Sequence, residues 1–60
     1  MTWSDLLDGC DLLAKLNEDG EAYSVVRGSI IEQLVEEKGY SNGVAEKLVA
    51  DIVRERKKAT

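Results

Sequence analysis

The stretch from Glu21 to Lys38 constrains this chain most, because its apolar residues do not keep to one narrow stripe. With Val26 as origin and a step of about 100° per residue, Val26, Ile30, Tyr23, Leu34, Ile31 and Val35 follow one another across roughly half of a helix circumference. A helix that is apolar over half its surface needs a neighbour on each side. Gly28 and Ser29 fall mid-segment, where small side chains cost helix propensity yet admit another backbone. The stretch reads as a central helix packed on both sides, with Gly28 and Ser29 at the close approach.

The flanking stretches supply the neighbours. Trp3, Leu6, Leu7, Cys10, Leu13 and Ala14 recur at the i, i+3, i+4, i+7 spacing of one buried stripe. Thr2, with Asp5 three residues on, has the spacing of a capping box. Leu12 and Leu16 form a second apolar pair on nearly the opposite side of this first helix. Asn17, Glu18, Asp19 and Gly20 spell a turn, with Asp19 placed to cap the next helix. So short a connection makes the first two helices antiparallel neighbours. Gly39 fits the left-handed position past a helix end, Tyr40 the apolar contact that accompanies it, and Ser41 or Asn42 the cap of a third helix. There Val44, Leu48, Ile52, Ala45, Val49 and Val53 again cover about half the circumference, and Lys47 and Asp51 make an i, i+4 pair on the outer face. The expected fold is all-α, one domain over residues 1–60, a small three-helix bundle with helices at about 2–17, 21–38 and 42–58.

Composition narrows the function classes. A chain of 60 residues is near the lower edge of independent folding, with a stability of a few kcal/mol expected at best. The only aromatic residues are Trp3, Tyr23 and Tyr40, so the core must be aliphatic. There is no histidine and Cys10 is the one cysteine, which rules out an internal disulfide and a cysteine/histidine metal site. No metal or cofactor is expected. Apolar runs are too short to span a bilayer, and the first five residues lack the basic and apolar regions of a signal peptide, so a cytoplasmic location is expected.

Net charge is −4, but it is divided unevenly. Residues 1–37 carry nine acidic side chains against Lys15 and Arg27, whereas residues 38–60 carry six basic ones against Glu46, Asp51 and Glu55. Asp5, Asp8 and Asp11 recur every third residue and form an acidic edge on the first helix. With Glu18, Asp19 and Glu21 at the adjoining turn they make a field suited to a basic partner surface. Asp5, Asp8, Asp11, Leu12 and Leu16 are the candidate partner-binding residues. Arg54, Arg56, Lys57 and Lys58 complement the negative end of the last helix and are the alternative nucleic-acid-binding set. Paired carboxylates lack a pocket, and Ser4, Ser24, Ser29 and Ser41 have no base in the sequence beside them, so catalysis is not expected.

Residues 34–48, with Gly39 at the turn and Ala45 and Leu48 facing inward, resemble the helix, glycine turn and helix of helix-turn-helix DNA-binding domains. The Gly39-Tyr40 pair is similar to the glycine-aromatic loop of ubiquitin-associated domains. The first resemblance implies a DNA-binding regulator that uses the third helix, although that helix starts Asn42-Gly43-Val44-Ala45-Glu46 and its basic residues come at the far end. The second implies a binding surface at the loop and a further helix after these two. In size and charge the chain is also similar to the short acidic proteins by which phages and other mobile elements inhibit host nucleic-acid machinery. The leading expectation is a non-enzymatic protein-interaction module, an inhibitor or adaptor, with a protein partner or a second copy as its ligand. A DNA-binding regulator and a structural subunit of a larger assembly are the alternatives.

Overall fold

The computed structural model describes residues 1–59, with side chains through residue 58. Three helices follow one another: α1 Trp3–Lys15, α2 Glu21–Lys38 and α3 Asn42–Ala59. Joined by short turns, they pack into an up-down-up bundle of 30 × 23 × 17 Å. The central helix contacts both flanking helices, and α1 also lies directly against α3, in the most extensive of the three helix pairings.

Local chemistry sets each boundary. At the start of α1 the Thr2 hydroxyl accepts from the Asp5 amide at 3.1 Å and the Asp5 carboxylate accepts from the Thr2 amide at 3.3 Å, a complete capping box. The helix stops at Lys15, two residues short of the expected end, and Leu16 turns to extended backbone. Beyond it the Asn17 side chain accepts from the Asp19 amide at 3.1 Å and its carbonyl accepts from the Gly20 amide at 2.9 Å. Asparagine here gives the backbone a local alternative to the helix. The same turn corrects the expected cap of α2: Gly20, with no side chain to contribute, is at the capping position, and the Asp19 amide is already bound to Asn17. Gly39 ends α2 at φ 74°, a left-handed conformation that glycine adopts without strain, and donates to the Val35 carbonyl at 3.2 Å. The Ser41 hydroxyl accepts from the Val44 amide at 3.3 Å and starts α3.

Each helix gives three side chains to the core: Leu6, Cys10 and Leu13 from α1, Ile30, Ile31 and Leu34 from α2, and Ala45, Val49 and Val53 from α3. Burial of a leucine or valine contributes about 1.5–3 kcal/mol, and no polar side chain among the described residues shares this core. Tyr23, Val26 and Val35 flank the buried centre of the α2 arc, as its wide apolar pattern requires. The close approach is elsewhere than expected. A methyl group on Gly28 would meet nothing within 4 Å, whereas one on Gly9 would lie 2.8 Å from Cδ1 of Ile30. Gly9, mid-helix in α1, is the glycine against which a side chain of α2 packs. Two residues expected in the apolar stripes are largely outside, Trp3 at 56% exposure and Val44 at 55%. No helix among the described residues is long and apolar enough to cross a membrane.

Candidate interaction surfaces

The residues expected to bind a partner divide between two faces. Asp5, Asp8 and Leu12 follow one another at i, i+3, i+7 on α1, and the structure keeps them together on the side that turns toward α2. Gly9, packed on Ile30 of α2, fixes that direction. Leu16 continues the line, but it is partly buried and packs against the core, so it anchors the turn rather than offering a free apolar surface. Asp11 leaves the group altogether. It faces α3, where its carboxylate is 3.3 Å from Nε of Arg56.

Alongside this line runs a stripe on α2 that the sequence reading missed: Ala22, Val25, Ser29, Glu32 and Glu36, all exposed. Val25 is outside the apolar arc of α2 and is 65% exposed, the highest of any large apolar residue described. Its i+4, i+7 and i+11 followers, Ser29, Glu32 and Glu36, are the signal that places it on an outward line. Leu12, 46% exposed, and Val25 thus form the apolar part of a shallow face on α1 and α2. Asp5 and Asp8 extend it on one helix and Glu32 and Glu36 on the other. None of these four carboxylates makes an ion pair among the described residues.

The basic residues of α3 are differently placed. Arg56 is held by Asp11, and Arg54 lies 3.5 Å from Asp51 on its own helix, which takes the place of the expected Lys47–Asp51 pair. Lys57 is bonded to the Glu18 carboxylate in the first turn of the chain. That hydrogen bond, together with the attraction of the two charges, lowers the Glu18 pKa and raises that of Lys57. Lys58 is exposed and has no ion pair among the described residues. Glu18, Tyr23, Ala50, Val53, Arg54 and Lys57 line an open recess of about 260 Å³, whose lysine is already engaged by Glu18. Two more pairs tie the bundle together: Arg27 with Glu46 at 3.8 Å, and the Met1 amino group with Glu37. The second fixes the start of α1 beside the end of α2.

Cys10 is buried among Leu6, Leu13 and their neighbours, and burial pushes its thiol pKa up despite the opposing charge of Arg56. Among the described residues no group of His, Cys, Asp or Glu side chains converges in a way that would hold a metal ion. The chain matches no family model, and neither a curated protein nor a solved structure shows significant similarity to it.

Proposed function

We propose that this chain is a non-enzymatic protein-interaction module that uses its α1/α2 face to dock on a basic, partly apolar surface of another protein, as an inhibitor or adaptor. The observation that carries this reading is the combination of Leu12 and Val25, exposed side chains with an apolar character, with four carboxylates that make no ion pair among the described residues. Unpaired acidic groups around an apolar centre attract a basic surface from a distance and orient it, while the apolar contact prolongs the encounter. Basic surfaces of this kind belong above all to proteins that handle nucleic acid, since they must neutralise phosphates. A partner held there would lose access to its nucleic acid. The basic end of α3, by contrast, has Arg54, Arg56 and Lys57 engaged with carboxylates of the same chain.

The test compares three baits in a lysate: the unaltered chain, Leu12→Ser, and the double reversal D8K/E36K, which spares Asp5 because that residue also caps α1. Proteins retained by the first and lost by both variants are the expected result, with retention that falls as salt is raised. Identical proteins on all three baits would refute the reading. Duplex DNA bound by the purified chain, with steep salt dependence and sensitivity to replacement of Arg56 and Lys58, would replace it with the DNA-binding alternative.

A further inference from the structure

The recess between α2 and α3 has no part in the proposed docking face. It lies where the start of α2, the end of α3 and the first turn of the chain meet, and its volume is about 260 Å³. Its α3 wall is one helical face, because Ala50, Val53, Arg54 and Lys57 follow at i, i+3, i+4 and i+7. Tyr23 lines it from the first turn of α2, and Glu18 from the connection before that helix. One turn earlier on α3, Glu46 reaches across to Arg27 and two long side chains bridge the pair of helices. At Ala50 there is only a methyl group, and the seam stays open. Val53, 4% exposed, gives the recess an apolar floor, and Tyr23, packed against the core, gives it an aromatic wall.

We propose that this recess binds a small organic carboxylate, with its apolar body against Tyr23, Ala50 and Val53 and its carboxylate on Arg54. Charge and size select that class. Arg54 and Lys57 against Glu18 leave the lining with one net positive charge, on a chain whose total is −4. A monoanion balances it, whereas a cation would meet two like charges. Lys57 is bonded to Glu18, so Arg54 is the residue that meets the ligand. Its side chain is 66% exposed, and its contact with Asp51, 3.5 Å away on the same helix, is of a kind that contributes little. A planar carboxylate offers two oxygens to the guanidinium fork and displaces that single contact. Sites for drug-sized ligands have volumes of roughly 300–1,000 Å³, so a recess of about 260 Å³ suits a single ring or a short chain. The inference does not depend on the proposed function, because none of these residues belongs to the α1/α2 face.

Three probes of one shape and different charge test this: benzoate, neutral benzyl alcohol and cationic benzamidine. Each is titrated into the labelled full chain at constant ionic strength while its amide NMR spectrum is recorded. Benzoate should give saturable shifts centred on Tyr23, Ala50, Val53 and Arg54, with a dissociation constant in the millimolar range, as suits so small a ligand in an open site. Benzyl alcohol should bind at least about fivefold more weakly, and benzamidine should leave these amides unmoved. Arg54→Gln should weaken benzoate roughly fivefold and leave benzyl alcohol unchanged. Asp51→Asn removes the competing carboxylate and should tighten benzoate by up to about twofold. Circular dichroism checks that both variants, which alter exposed side chains, keep the bundle. Benzoate shifts that do not saturate, or that centre elsewhere on the chain, would overturn the proposal. So would equal binding of the three probes, or an Arg54→Gln variant that binds benzoate as before or loses benzoate and benzyl alcohol alike.

Discussion

Gly9 illustrates how one missing methyl group sets the distance between two helices. An alanine there gains about 1 kcal/mol of helix propensity, but its Cβ would lie 2.8 Å from Cδ1 of Ile30, a buried side chain with little room to retreat. The two effects are of similar size, because overpacking costs about 1–3 kcal/mol. Gly9→Ala should therefore be neutral to mildly destabilising in the unaltered chain and stabilising by up to about 1 kcal/mol once Ile30→Val has removed the crowding atom. A double-mutant cycle by urea denaturation reads that coupling, and additive effects would contradict the geometry. Gly28 faces open space, so Gly28→Ala should raise stability by about 0.5–1 kcal/mol in the same assay. From the sequence the close approach was expected at Gly28 rather than Gly9, and the pattern cannot separate the two mid-helix glycines because the difference lies in which one another helix crosses. Cys10 was legible as a core residue from its place between Leu6 and Leu13. Buried with a raised thiol pKa, it should react with a thiol reagent only as the bundle opens, so its labelling rate in the native state should rise with urea in step with unfolding.

At the level of elements, the helices and their order were readable because turn chemistry is local. The capping box of Thr2 and Asp5, the left-handed Gly39 and the hydroxyl cap of Ser41 all act within four residues. The misplaced cap of α2 has the same origin, since Asn17 and Asp19 compete for one turn and only the folded geometry shows that Asn17 prevails. Contacts between elements were not readable. The sequence separates its acidic half from its basic end, but it does not say that α3 returns Arg56 to Asp11 and Lys57 to Glu18. The second of these pairs has a pH signature. The stabilisation linked to Glu18, whose pKa is lowered by folding, is present above its unfolded pKa and disappears as pH falls through the lower folded value. That linked to Lys57, whose pKa is raised, is complete below its unfolded pKa and disappears as pH rises through the higher folded value. The pair thus acts from mildly acidic to moderately alkaline pH. Glu18→Gln should reduce the loss of stability on acidification, as measured by denaturation midpoints across pH, and both residues should show shifted titration midpoints by NMR.

For the molecule as a whole, the charge division along the chain becomes a division between faces. Ion pairs engage Arg54, Arg56 and Lys57 of α3 and Asp11 of α1, while Asp5 and Asp8 of α1 and Glu32 and Glu36 of α2 are left without one among the described residues. Of the candidate binding residues, Asp5, Asp8 and Leu12 stayed together because helical spacing alone decides which side they share. Val25 was missed because an isolated valine outside an apolar arc looks like ordinary surface until a second helix lies next to it. The same three-dimensional arrangement governs how the chain acquires its structure. The most extensive helix pairing joins α1 to α3, the two elements farthest apart in sequence, and the pairing of α1 with α2 is the least extensive. A fragment of residues 1–40 keeps only that weakest interface, and its circular dichroism should show little helix; an isolated helix of this length is marginal in water. During synthesis, then, α1 and α2 wait as unstable segments, and cooperative folding begins only when α3 has cleared the ribosome. The growing chain would reach its fold late and in one step, with its apolar faces uncovered until that moment.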